Sequence, residues 1–174
     1  MNYRRLRVGG GRYFFTVATQ DRRPLLIEHH DRLWRALSQV QADHPFTVDA
    51  YVVLPDHLHM IWTLPAGDAD FSTRWMLIKR RFSQGVEGGA VNASKKRKRE
   101  RGIWQRRFWE HLIRDAVDLR RHLDFIHHDP VKHGCCAAPR DWRLSSFGSH
   151  VDRGVYQADW RLDDASHLLG VGNE

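Results

Sequence analysis

The sequence predicts an α+β fold of ferredoxin-like or RRM-like type, in which helices pack on an antiparallel sheet. The first observation is the order of elements, β-α-β-β-α-β-α, which follows from the spacing of the apolar residues along the chain. The second is a tight Pro55-Asp56 turn between two strand-like stretches, which is typical of an antiparallel pair. The third is the length: 174 residues suit one domain with a core of its own.

Four stretches have the pattern of β-strands. Residues 13–19 (YFFTVAT) are aromatic and β-branched, and residues 108–113 (FWEHLI) have a similar character. Residues 47–54 and 57–64 flank the Pro-Asp turn, and the second of these alternates strictly between two faces. Its core face consists of Leu58, Met60, Trp62 and Leu64.

Three stretches have helical spacing instead, at about residues 31–42, 71–82 and 115–128. Their apolar stripes are Leu33, Leu37 and Val40; Phe71, Trp75, Ile78 and Phe82; and Ala116, Leu119, Leu123 and Ile126. Pro130 predicts that the last helix ends near Asp129. Beyond it, residues 141–174 show little regular pattern and form a C-terminal tail, so residues 1–140 would be the folded domain.

The composition indicates a polyanionic partner. The chain carries 28 Lys and Arg against 21 Asp and Glu, a net charge of +7, which favours nucleic acid ahead of a membrane surface. Cys135 and Cys136 are adjacent and cannot build a disulfide framework, so we expect a reducing, cytoplasmic environment; zinc binding by the pair is the alternative. No apolar run reaches the length of a membrane span.

Two basic segments are candidates for phosphate contacts. The first is an N-terminal arm in which four arginines (Arg4, Arg5, Arg7 and Arg12) surround three glycines; a flexible, solvated arm is the alternative. The second is a loop at about residues 85–102, glycine-rich and then basic from Lys95 to Arg101. A localisation signal and a merely solvated loop are alternatives for this run.

The other face of the strand after the turn begins with His57 and His59. Two imidazoles side by side at a strand start are a rigid mount for a divalent cation, although surface histidines on an edge strand would give the same pattern. On the last helix, Phe125 lies off the apolar stripe and one turn before Asp129. This ring could pack on a neighbouring loop. If the helix crosses the histidine face of the sheet, it brings Phe125 and Asp129 to the histidine pair.

Three ordered motifs resemble one known family. Residues 53–62 (VLPDHLHMIW), 103–111 (IWQRRFWEH) and 124–134 (DFIHHDPVKHG) are similar to the REP-associated tyrosine transposases, which belong to the HUH single-strand nuclease superfamily. The resemblance runs from about residue 3 to residue 160. It implies a monomeric bacterial enzyme of the cytoplasm and nucleoid that cleaves and joins single-stranded DNA at REP-type hairpins.

The resemblance also implies a site. His57, His59 and Asp129 would bind Mg²⁺ or Mn²⁺, and a tyrosine on the last helix would attack a phosphodiester to leave a 5′-phosphotyrosine. We expect the hairpin to be held by cations in the arm, the second helix, the basic loop and the motifs. These are Arg4, Arg5, Arg7, Arg12, Lys79, Arg80, Lys95, Lys96, Arg97, Lys98, Arg106, Arg107 and Lys132.

The chain departs from the family pattern at two positions. Asp129 stands where the family has Asn, which a carboxylate can replace as a metal ligand. Phe125 stands where the family has its nucleophilic tyrosine, and without a hydroxyl it cannot form the phosphotyrosine. Two interpretations of Phe125 are open. It is either a deliberate substitution that lets the protein hold uncleaved DNA, or the mark of a naturally inactive relative. Tyr156, in the tail, is a poor substitute nucleophile. A hairpin-binding regulator and an RNA-binding module remain alternative functions.

Overall fold

A four-stranded antiparallel sheet forms the centre of the computed structural model, which describes residues 6–97, 100–168 and 170–172. The strands are β1 (Arg12–Ala18), β2 (Thr47–Val53), β3 (His57–Thr63) and β4 (Trp109–Leu112). They lie in the order β2-β3-β1-β4, with every neighbouring pair antiparallel. The predicted α+β, ferredoxin-like fold is confirmed, because this order is what a split β-α-β arrangement produces.

Helices α1 (His30–Asp43) and α2 (Phe71–Ser83) cover one face of the sheet. Their predicted apolar stripes are buried there against the core face of β3. The contact is dense and aromatic: the rings of Trp62 and Trp75 stack with centroids 4.3 Å apart. This cluster occupies the first face of the sheet, so the histidine face of β3 is left to the last long helix.

Helix α4 (Ala116–Lys132) lies on that opposite face. The expectation that it ends near Asp129 is wrong, because the helix continues through Pro130. Proline has no backbone N–H, and Pro130 lies in the last turn of α4. The one backbone hydrogen bond that it cannot donate is therefore lost only near the end of the helix. The N–H of His133 still donates to the Asp129 carbonyl at 3.0 Å.

The expected burial pattern of α4 is also wrong in part. Ala116 is exposed, while Phe125 is buried at 4% exposure. The physical reason is that the middle of α4 is enclosed from two sides. The sheet covers one side, and residues Leu168 and Val171 from the C-terminal region join the same apolar cluster as Phe125.

The segment predicted as an irregular tail packs against the sheet and α4 in its described part, and it contains α5 (Phe147–Asp152). Before α5 it runs along the outer edge of β2. The N–H of Val53 donates to the Leu144 carbonyl at 2.8 Å, and the N–H of Ser146 donates to the Tyr51 carbonyl at 2.9 Å. The chain thus adds a short strand-like piece to its own sheet edge.

The predicted glycine-rich basic loop contains the short helix α3 (Ala93–Arg97). The N–H of Gly89 bonds the Arg101 carbonyl at 2.8 Å, which joins the two ends of the loop. Among the described residues, helices long and apolar enough to cross a membrane are absent.

Candidate metal and nucleic-acid site

His57 and His59 lie side by side at the start of β3, and both are buried. Each ring is held through its Nδ1 atom. His57 Nδ1 lies 2.7 Å from the Asp56 carboxylate, and His59 Nδ1 lies 2.9 Å from the hydroxyl oxygen of Thr16. A ring that donates from Nδ1 keeps its lone pair on Nε2, which is the arrangement found in metal-binding histidines.

Asp129 comes from α4 to meet the two Nε2 atoms. Its Oδ2 lies 3.5 Å from His57 Nε2 and 3.3 Å from His59 Nε2, and the carboxylate is fully buried. Burial alone would raise the pKa of Asp129. Without a metal, hydrogen bonds and charge from the two imidazoles, once their Nε2 atoms are protonated, outweigh this and hold the pKa well below its usual range. The carboxylate is therefore ionised at neutral pH. The helix does bring Asp129 and position 125 to the histidine pair.

These three side chains fit a divalent cation. Their ligand atoms all lie within 4.8 Å of one another. Neither carboxylate oxygen of Asp129 accepts a hydrogen bond of good geometry from a described residue, which is costly for a buried anion unless a cation binds there. Two imidazole nitrogens and one carboxylate suit Mn²⁺ and other divalent metals. Mg²⁺ prefers oxygen ligands and would bind mainly through the carboxylate.

His133, one turn after Asp129, contacts the second carboxylate oxygen. Its Nε2 lies 3.4 Å from Asp129 Oδ1, and its ring centroid is 5.0 Å from that of His57. Because Oδ2 faces the histidine pair while Oδ1 faces His133, this residue orients the carboxylate. Sequence reasoning did not single it out.

We expect His133→Ala to weaken Mn²⁺ binding about tenfold, since partners that orient metal ligands typically contribute 10–100-fold to affinity. Isothermal titration calorimetry on the purified protein measures this directly. His30→Ala, at the distant start of α1, is the matched control and should leave the affinity unchanged. Equal affinities for the His133 and His30 variants would contradict the orienting role.

Phe125 stands beside this cluster. Its ring centroid is 5.0 Å from that of His59 and 5.8 Å from that of Phe14, and the Lys132 ammonium lies 5.3 Å from the ring centre. The far end of the ring is covered by the C-terminal region: a side chain at position 172 would overlap Phe125 Cζ, and only glycine leaves room there. The atom that would carry a hydroxyl in tyrosine therefore faces the backbone of residue 172.

Tyr156 is engaged elsewhere. Its hydroxyl donates to Asp124 Oδ1 at 2.8 Å, and both side chains are buried. Burial, followed by the neighbouring Asp124 carboxylate, raises the pKa of Tyr156 far above its usual value. A phenol that is this hard to ionise is a weak nucleophile.

A second cluster joins β4 to α4. Asp118 Oδ2 accepts hydrogen bonds from His111 Nε2 at 2.8 Å and from the Arg114 side chain at 3.0 Å. Burial would raise the pKa of Asp118, but these partners hold it well below its usual range. His122 Nδ1 lies 2.8 Å from the Asp118 carbonyl oxygen, and burial above all lowers the pKa of His122 to about 4. This cluster connects the two elements by hydrogen bonds around an ionised carboxylate.

The protein is expected to lose stability between pH 6.5 and pH 4 because of His122. The folded protein keeps this side chain neutral down to about pH 4, whereas the unfolded chain takes up a proton below the ordinary value of 6.5. The unfolded state then binds more protons, so unfolding becomes easier as the pH falls, by about 3 kcal/mol in total. Urea unfolding of the protein and of His122→Gln at pH 7 and pH 4.5 measures this. Identical pH dependence in both would contradict it.

The predicted DNA-binding cations are not brought together in one place. Arg4, Arg5 and Lys98 lie outside the described residues, as does the side chain of Lys95. Arg12 is bound to Asp49 and Thr63 at the opposite end of β1 from the histidines, about 13 Å from His59 and about 20 Å from His57 by strand geometry. Arg7 lies over the Phe71 ring, and Arg107 is exposed.

The remaining cations fall into three groups. Lys79, Arg80 and Arg106 line one groove beside α2, and Lys96 and Arg97 are exposed on α3. Lys132 lies at the end of α4, beside Phe125.

Two named proteins are similar to this chain over nearly its whole length. The chain is 46% identical over 169 residues to a REP-associated tyrosine transposase of Escherichia coli K12, covering 97% of this chain and 95% of the relative. It is 42% identical to a protein of Haemophilus influenzae named as a putative member of the same group, covering 91% of this chain and 92% of the relative.

A solved structure of such a transposase bound to a REP hairpin superposes with a TM-score of 0.81 at 43% identity, covering 96% of both chains. No protein-family model matches the sequence. Identity at this level over nearly the whole length shows the family, and the chain therefore belongs to the REP-associated tyrosine transposases.

Proposed function

We propose that the protein recognises REP-type DNA hairpins and carries the site of a single-strand endonuclease and strand transferase, with Phe125 at the position of the nucleophile. The observation that carries the proposal is the convergence of His57, His59 and Asp129 next to the Phe125 ring. The bound hairpin in the solved relative supports the choice of partner.

In this proposal the protein's own groups have separate roles. His57, His59 and Asp129 would hold Mg²⁺ or Mn²⁺, which when bound withdraws electrons from the scissile phosphate and offsets its developing charge. Asp56, Thr16 and His133 orient these ligands. A phenol at position 125 would form an O–P bond while the bond from phosphorus to the 3′ oxygen breaks, releasing a free 3′-OH. Phe125 cannot take this step, so the chain as it stands would bind DNA without cleaving it.

A non-catalytic hairpin-binding protein is the second candidate function. It is favoured by the covered, hydroxyl-free ring of Phe125. The two candidates share the hairpin and differ in the chemistry of the site. They are separated by the Phe125→Tyr variant, because only the first predicts a covalent product.

DNA is distinguished from RNA by direct competition. Matched DNA and RNA hairpins of the same sequence are offered to the protein, and we expect DNA to bind more tightly. Preference for the RNA hairpin would indicate contacts with 2′-hydroxyls and would contradict the proposed partner.

We expect the protein to act as a monomer in the bacterial cytoplasm, associated with the nucleoid.

Affinity for a hairpin should fall steeply with salt if the basic segments contact phosphates. We expect Lys96→Gln with Arg97→Gln to reduce the slope of log affinity against log salt by about 2, because each lost phosphate contact accounts for roughly 1. Arg35→Gln with Arg143→Gln removes the same charge from exposed positions outside the predicted contacts. Equal slopes for the two double variants would contradict the contact role of α3.

A further inference from the structure

The turn that follows β1 holds two consecutive residues in the left-handed region of backbone conformation. Asp21 has a φ of 54° and Arg22 a φ of 53°. An aspartate tolerates this region because its short side chain bonds locally, and here Asp21 Oδ1 accepts a hydrogen bond from the Gln20 side-chain amide at 2.6 Å. Arginine has no such local compensation. An arginine at position 22, where glycine would fit without strain, indicates that its side chain is needed there.

Backbone contacts fasten this turn to the Pro-Asp turn that precedes β3. The N–H of Thr19 donates to the Asp56 carbonyl at 2.8 Å. The Thr19 hydroxyl, which is buried, lies 2.8 Å from the Arg23 carbonyl oxygen and 3.0 Å from the Asp56 carbonyl oxygen. Thr19 and Arg23 flank the left-handed pair on either side. The position of Arg22 relative to Asp56 is therefore fixed by the backbone.

The side chain of Arg22 continues to the histidine pair through a carboxylate. Arg22 Nε donates to Asp56 Oδ2 at 3.0 Å, and Asp56 Oδ1 lies 2.7 Å from His57 Nδ1. Each oxygen of the carboxylate has its own partner, so a rotation of the carboxylate would break both contacts. A carboxylate held in this way keeps the proton of His57 on Nδ1 and leaves the lone pair of Nε2 for a metal.

Neither stability nor charge explains the strained turn. The side chains of Arg22 and Asp56 are 42% and 23% exposed, and an ion pair this open to water contributes less to stability than an arginine in the left-handed region costs. The positive charge of Arg22 would also repel a divalent cation held by His57. What Arg22 supplies is geometry, because it leaves the Asp56 carboxylate a single orientation.

We propose that Arg22 is a positioning residue of the metal site, which acts on His57 through Asp56. The inference rests on the proposed function, in which His57 is a ligand of Mn²⁺ or Mg²⁺. It goes further by giving a role to a residue that contacts none of the three ligands directly. The left-handed turn is retained because a relaxed turn would direct the guanidinium away from Asp56.

The first test compares Arg22→Gly with Asp21→Gly by calorimetric titration of the DNA-free protein with Mn²⁺. Both variants place glycine in the left-handed turn, and thermal unfolding confirms that both are folded. We expect Arg22→Gly to weaken Mn²⁺ binding about fivefold, somewhat less than the loss of a direct partner of a ligand, and Asp21→Gly to leave it unchanged. The direction is diagnostic, because removal of a nearby positive charge would by itself strengthen the binding of a cation.

A double-variant cycle shows whether Arg22 acts through Asp56. We expect Asp56→Ala to weaken Mn²⁺ binding about tenfold, and Arg22→Gly to add no further loss in the Asp56→Ala background. Nitrogen-15 NMR of the histidine rings gives a readout without metal, at pH 8, where a free imidazole is neutral. The His57 proton should lie on Nδ1 in the unchanged protein and be shared between both ring nitrogens in Arg22→Gly.

Three results would overturn the positioning role while leaving the proposed function standing. These are unchanged or tighter Mn²⁺ binding in Arg22→Gly, a loss that adds to that of Asp56→Ala, and a His57 proton that stays on Nδ1 in Arg22→Gly. If the unchanged protein binds no Mn²⁺ at all, the metal site of the proposed function falls together with this inference.

Discussion

Replacing Phe125 with tyrosine is expected to convert a protein that forms no covalent DNA product into one that does. The new hydroxyl would extend from Cζ beside His59, with the Lys132 ammonium near the ring to favour the phenolate. Incubation of both proteins with labelled REP-type hairpins and Mn²⁺ or Mg²⁺, followed by a denaturing gel, measures the adduct. It should appear only with the variant and only with metal.

The covered position of Cζ adds a second expectation. Because Gly172 lies against this atom, the C-terminal region must move before a tyrosine at 125 can reach DNA. Adding Val171→Asp to Phe125→Tyr should loosen the apolar contact of this region and raise the yield of adduct. His57→Ala in the Phe125→Tyr background is the negative control. An adduct from this control, or none from Phe125→Tyr alone beside specific hairpin binding, would contradict the nuclease proposal.

Asp129→Ala is expected to weaken Mn²⁺ binding by more than about 100-fold, because it removes one of three ligands, and loss of an orienting partner alone typically contributes 10–100-fold. Thermal unfolding gives an independent measure. The unchanged protein gains about 2.7 kcal/mol of stability at a metal concentration 100 times its dissociation constant. The variant should gain almost nothing at the same concentration.

Asp129→Asn is the matched control, since it keeps one oxygen ligand and the size of the side chain. We expect it to weaken Mn²⁺ binding by only about tenfold, because an oxygen ligand remains and only its charge is lost. A variant series in which Ala, Asn and the unchanged Asp129 bind Mn²⁺ equally would show that the cation binds elsewhere. The two expectations use the DNA-free protein and so do not depend on which hairpin is recognised.

Much of this architecture could be predicted from the sequence because its signals are local. The two-residue periodicity after the Pro-Asp turn fixed which side chains of β3 face α1 and α2, and the 3.6-residue periodicity gave the stripes of these helices. The helical spacing also placed Phe125 one turn before Asp129. These relations depend only on bond geometry within one element.

The orienting partners could not be predicted in the same way. Thr16 reaches His59 only because β1 and β3 pair with those two residues opposite each other, and a register between distant strands is not visible in either strand alone. Asp56, next to His57 in the turn, and His133, one turn after Asp129, were the partners with a local signal. The burial of Phe125 also depends on residues more than 40 positions later, Leu168 and Val171, so the spacing on α4 alone could not show it.

The short piece of chain along β2 has a consequence for self-association. A sheet edge with free N–H and carbonyl groups is a template on which a second molecule can add a strand. Here the backbone of residues 144–146 already occupies part of that edge, through its bonds with Tyr51 and Val53. The segment that leads into the C-terminal region therefore also shields the molecule from edge-to-edge aggregation. Its release would expose the unpaired N–H and carbonyl groups of β2 before it disturbed the core.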